Sequence, residues 1–169
     1  GNKINLSLVP CGCVFNNQTR RKASIPPEQS VTKVITVENK ANYESMPYEE
    51  GTLIIYSHGY FSPDERAFLI HLERVLSSIR TSCGTTYLHT GDLDYGGVKI
   101  FQYIKKRIFP KLYPYLMDTQ TYDQYMAYGE PIETSKLEKL QRTAEPLLQP
   151  LIDKICAEKQ VIEQESFLF

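Results

Sequence analysis

The sequence predicts an α/β fold: a mainly parallel four-stranded sheet flanked by helices. Two observations carry this. Short β-branched, apolar runs alternate with longer segments of helical period along residues 33–108, the pattern of strand–helix–strand units. Acids and glycines then cluster just past those runs, where sites lie in such sheets.

The elements follow in order. Residues 1–30 are polar and turn-rich and read as an N-terminal arm, with residues 31–169 as the domain proper. KVITV (33–37) is a buried strand. ANYESMPYEE is short and mixed, with room for one turn of helix. TLIIYS (52–57) is the second strand. SPDE (62–65) starts a helix, with Ser62 as cap, Pro63 in the first turn and Glu65 closing a capping box. Phe68, Leu69, Leu72, Val75, Leu76 and Ile79 give that helix one apolar face. TTYLHT (85–90) is the third strand. Val98, Phe101, Ile104 and Ile108 mark another helix, stopped near Pro110. KLYPYLM (111–117) is a fourth strand, with Pro114 placing it at an edge, and Asp118 caps TQTYDQY. From Ser135 the tail is helical, with Leu147, Leu148, Leu151, Ile152 and Ile155 on one side.

The strand ends carry the chemistry. Glu38 follows the first strand, Ser57, His58 and Gly59 the second, and Asp92, Asp94, Gly96 and Gly97 the third. If strands one and three are neighbours, three acids meet at one edge. Each alone is a normal cap or turn residue. Three together, with no base in those turns, call for a cation, and hard oxygen ligands select Mg2+ or Mn2+. Gly96 and Gly97 would let a phosphate approach the backbone.

Composition narrows the alternatives. The chain has 169 residues, 41% hydrophobic and 23% charged, with a net charge of −1. That is an ordinary globular balance, and any nucleic-acid contact must use a local patch. Lys99, Lys105, Lys106, Arg107 and Lys111 form an acid-free stretch that is either such a patch or a solvated face; Arg20, Arg21 and Lys22 are a weaker one. The four cysteines lack a zinc pattern and are expected to be reduced thiols, and three scattered histidines make no zinc site. His58 either faces a substrate or sits in an exposed turn. His89 is expected to be a satisfied strand residue and His71 a surface one. No run approaches a membrane span, no signal peptide opens the chain, and no G-x-x-x-x-G-K loop suggests a nucleotide switch.

VITVENKANY, YSHGYF and HTGDLDYGGVKIF resemble the successive motifs of a Toprim domain. The Asp-x-Asp-x-x-Gly form resembles the A subunit of type IIB topoisomerases. A wider similarity, over residues 25–165, runs through IPPEQSVTKVITVEN, GDLDYGG, YLMDTQTY and VIEQE. It resembles the C-terminal domain of the JetD family, the nuclease subunit of Wadjet plasmid-defence systems. The resemblance implies Mg2+-dependent DNA cleavage, with Asp92 and Asp94 holding the ion and Glu38 as general acid, base or shared ligand. Glu163 and Glu165 match the family's terminal motif and read either as ligands of a second ion or as a charged tail. The resemblance also implies a cytoplasmic protein, a homodimer at full length, an SMC-type ATPase complex as partner, and N-terminal domains preceding this chain. Without those domains the chain is expected to cut weakly or not at all. The alternative is a non-catalytic Toprim module that binds DNA or a partner protein. No covalent tyrosine intermediate is expected.

Overall fold

The computed structural model describes residue 5 and residues 12–26, 30–78 and 84–167. Ile79, Cys11 and Cys83 lie outside the described residues. Four parallel strands make the main sheet: β1 (Lys33–Val37), β2 (Thr52–Tyr56), β3 (Thr86–Thr90) and β4 (Leu112–Pro114), in the order β2-β1-β3-β4. The fold class is therefore as expected. β1 is central, and Val34, Ile35, Thr36 and Val37 are all buried, as a parallel strand covered on both faces requires. β4 is shorter than expected and pairs only with β3, and Pro114 closes it on the edge.

The helices between the strands are α2 (Lys40–Ser45), α3 (Pro63–Ser78) and α4 (Tyr95–Arg107). The capping box of α3 forms. Ser62 N–H donates to Glu65 Oε2 at 2.9 Å, and the Glu65 amide reaches Ser62 Oγ at 3.4 Å. Leu69, Leu72 and Leu76 of α3 share one core with Val98, Phe101 and Ile104 of α4 and with Val34 and Tyr87 of the sheet. Asp118 caps α5 (Thr119–Tyr125) by accepting the Thr121 N–H at 2.7 Å.

The two ends of the chain differ from expectation. The arm carries a short helix, α1 (Asn17–Lys22), that packs on α3. Arg21 pairs with Asp64 at 2.7 Å and Arg20 with Glu65 at 3.5 Å, so neither is a free phosphate ligand. The tail is not one helix. It contains α6 (Thr134–Gln141), α7 (Gln149–Glu158) and a short antiparallel pair, β5 (Glu130–Pro131) with β6 (Gln160–Val161). Leu148, Leu151, Ile152 and Ile155 are buried as expected, but Leu147 is 38% exposed. It precedes the first turn of α7, where helical spacing no longer sets its direction.

Candidate metal centre

Asp92 and Asp94 sit in the short segment between β3 and α4. Leu93 lies between them and is fully buried. Its backbone pairs with Ile162, Leu93 N–H to Ile162 O at 2.8 Å and Ile162 N–H to Leu93 O at 3.3 Å. In an extended segment alternate side chains share a side, so anchoring Leu93 inward turns both aspartates the other way. Asp94 is the N-cap of α4, and one of its oxygens accepts the Gly97 N–H at 2.7 Å. Asp92 Oδ1 accepts the Gln164 N–H at 2.8 Å. Each aspartate keeps its second oxygen for another partner.

Glu38 leaves the end of β1, beside β3 as the paired register demands. Its backbone N–H donates to Thr90 O at 3.0 Å. Gly91 makes room for its side chain: a Cβ there would stand 2.4 Å from Glu38 Oε2. Gly97 is equally constrained, since a Cβ would fall 2.0 Å from the Asp92 carbonyl oxygen. Its smallness thus serves the turn that presents Asp92. Gly96 lies beside the Asp94 carboxylate, with its Cβ position 3.1 Å from Oδ1.

The end of the chain returns to this site. After Ile162, Glu163 comes within hydrogen-bonding reach of the Asp92 side chain. Gln164, fully buried, accepts the Asn39 N–H at 2.9 Å and donates to Thr90 Oγ1 at 3.0 Å. It ties the ends of β1 and β3 together. Glu165 is exposed and accepts from Asn39 Nδ2 at 2.9 Å. Glu163 is thus placed among the acids, and Glu165 is engaged at the start of α2. Sequence reasoning missed Gln164 and Gly91. Gln164 stood in plain view between the two glutamates of EQE, and Gly91 directly before Asp92.

Burial and like-charge repulsion together dominate the electrostatics. Burial, and then the nearby Asp92, push the Glu38 carboxyl up to about 8, with Asp94 and Glu163 adding to the effect. Burial raises Asp92 as well, and Asp94 and Glu165 add to it. Burial raises Glu163, followed by Asp92 and Asp94. The charges acting most strongly on these groups are all carboxylates. Among the described residues no three His, Cys, Asp or Glu side chains close into a ready-made cage. An open set of hard oxygen donors suits Mg2+, which keeps several of its waters and takes only a few protein oxygens.

The other candidate residues lie further out. His58 sits in the turn after β2, 3.3 Å from Glu65, and Gly59 follows it at φ +90°. Lys99 bonds Gln102 at 3.0 Å. Lys105 pairs with Glu145 at 2.7 Å, and Lys105, Lys106 and Arg107 form the last turn of α4, at the opposite end from Asp94. His71 is exposed. His89 is fully buried, and burial lowers it to about 3, so it is neutral. Its Nδ1 is 2.8 Å from Thr36 Oγ1, its cross-strand neighbour, but its Nε2 has no partner. The expected satisfied strand histidine is therefore only half satisfied. Among the described residues no helix is long and apolar enough to cross a membrane.

A family model described as "Wadjet protein JetD, C-terminal" matches residues 14–169, nearly the whole chain. The chain belongs to that family. A curated Wadjet protein JetD of Bacillus cereus (strain Q1) is 32% identical over 170 residues, covering 98% of this chain and 40% of that protein. The chain thus spans less than half the length of that relative. All four carboxylates of the centre fall inside the family match.

Proposed function

We propose that this domain is the Mg2+-dependent cleavage centre of a JetD-type protein, cutting DNA in a Wadjet plasmid-defence system. The observation that carries this is the convergence of Glu38, Asp92, Asp94 and Glu163 from three separate segments. Nothing in the core requires four acids to meet, and their mutual repulsion costs stability. A divalent cation turns that cost into binding energy.

Asp92, Asp94 and Glu163 would hold the ion, which when bound neutralises charge on a scissile phosphate. Glu38 is suited to proton transfer. In the metal-free protein a carboxyl raised to about 8 holds its proton at neutral pH; a bound cation would lower it, toward a group that can take or give a proton at a scissile phosphate. Its sheltering by Gly91 and the β3 end keeps it among the acids rather than in bulk water. The gripping of a duplex falls to other parts of the longer protein. Lys105, Lys106 and Arg107 stand at the far end of α4 from Asp94, so they could touch a duplex only away from the acids. DNA, an SMC-type ATPase complex and a second copy of the protein are the partners this reading entails.

The test is plasmid cleavage by a full-length protein carrying this domain, alone and with the other Wadjet components. Cleavage should require Mg2+ or Mn2+ and vanish in Asp92→Asn. Cleavage that persists in EDTA or in Asp92→Asn refutes the reading. DNA binding without cleavage under all these conditions supports the non-catalytic module instead.

A further inference from the structure

Among the described residues, two buried side-chain atoms near the acids lack a hydrogen-bond partner: Glu38 Oε2 and His89 Nε2. They face the same gap. A Cβ at Gly91 would stand 2.4 Å from Oε2 and 3.2 Å from Nε2. The two atoms are therefore at most about two hydrogen-bond lengths apart.

The hydrogen-bond inventory fixes what each can do. Thr36 Oγ1 lies 3.2 Å from Leu88 O and 2.8 Å from His89 Nδ1. A hydroxyl has one proton, and a carbonyl can only accept. We assign the Thr36 proton to Leu88 O; Thr36 then accepts from His89, and the imidazole proton sits on Nδ1. Nε2 then carries a bare lone pair. Glu38 Oε2 is a second acceptor once the carboxyl is ionised, and while protonated the carboxyl carries one O–H donor. With Glu38 ionised, two buried acceptors lie near Gly91 and neither can satisfy the other. Leaving both bare costs about 1–3 kcal/mol each.

We propose that His89 is a positioning residue for Glu38. One water beside Gly91 donates one hydrogen to His89 Nε2 and bonds Glu38 Oε2, accepting from the carboxyl while it is protonated and donating to it once it is ionised. The bridge, with the Asp92 amide that also bonds the carboxylate, fixes the plane of the Glu38 side chain. Gly91 is needed because a Cβ there would press on Glu38 Oε2 and crowd His89 Nε2, the two ends of the bridge. Thr36 is needed because it sets the tautomer. The consequence for catalysis rests on the function proposed above; the bridge itself rests on the geometry.

The experiment observes the imidazole nitrogens of 15N-histidine-labelled protein in EDTA, for the wild type and for Gly91→Ala and Thr36→Val. Calorimetry with Mn2+ is run on the same proteins after the EDTA is removed. In the wild type, His89 should carry its proton on Nδ1, with an Nε2 signal at the position of a hydrogen-bonded lone pair. Gly91→Ala should move that signal to the unbonded position, and Thr36→Val should mix the tautomers. Mn2+ should bind each variant roughly 10-fold or more weakly, the usual effect of removing a partner behind a ligand. A proton on Nε2 in the wild type, or an Nε2 signal indifferent to Gly91→Ala, overturns the proposal. If the nitrogen signature holds but the wild type binds no Mn2+, the bridge stands and the cation reading falls. If Mn2+ binds but the signature is missing, the His89 proposal falls alone.

Discussion

Replacing Glu38 with glutamine should make the metal-free domain more stable, and increasingly so as pH rises. Glutamine keeps the shape and one acceptor oxygen but carries no charge. The folded glutamate is raised from 4.5 to about 8, so the folded state holds its proton where the unfolded state has lost it. Below pH 4.5 both states are protonated and nothing is lost. Above it the unfolded state gains from ionising, and stability falls by up to about 1.4 kcal/mol per pH unit until the folded carboxyl also ionises. At pH 7 the loss is roughly 3 kcal/mol relative to a neutral side chain. An imperfectly matched amide offsets part of that, leaving a gain of about 2 kcal/mol, or ~4–8 °C for a domain of this size. The assay is urea and thermal unfolding of both proteins in EDTA at several pH values. Their stabilities should converge near pH 4.5 and separate steadily up to about pH 8. A difference that is flat with pH, or a less stable variant at pH 7, would refute the electrostatic account of the centre.

Other perturbations have equally definite outcomes. Gly97→Ala places a Cβ 2.0 Å from the Asp92 carbonyl and should cost more than about 3 kcal/mol by urea denaturation. Gly96→Ala meets only the Asp94 carboxylate and should cost far less. Gln164→Leu breaks the bonds to Asn39 N–H and Thr90 Oγ1 and should cost about 2–4 kcal/mol. Amide exchange at residue 39 should quicken with it. Mn2+ affinity should rise with pH toward about 8, because Asp92 and Glu163 must shed protons to hold the cation and ionised Glu38 adds negative charge beside them. Calorimetry in buffers of different ionisation heat should detect the released protons.

Local signals were the legible ones. The Ser62–Glu65 box, the Asp118 cap and the β-branched run of β1 each depend on neighbours within a few residues, and each forms as read. The approach of Glu38 to Asp92 and Asp94 was legible too, because parallel pairing of β1 with β3 brings their ends to one edge. Features made by distant pairing were not. Nothing near Lys105 announces Glu145, 40 residues on, and nothing near Leu93 announces Ile162. That second pairing brings Glu163 and Gln164 to the acids. Gly91 escaped notice because its importance lies in the carboxylate and imidazole it admits, and both come from other positions in the chain. Leu147 was misjudged because Pro146 and Pro150 obscured where α7 begins.

The central claim is that the four carboxylates are gathered for a divalent cation. Calorimetric titration of this chain with Mn2+ near pH 8, beside Asp92→Asn, tests it most directly. The account predicts weak, saturable binding by the wild type and its loss in the variant, which should remain folded and be at least as stable without metal. No binding up to tens of millimolar Mn2+, or equal binding by both proteins, would contradict it.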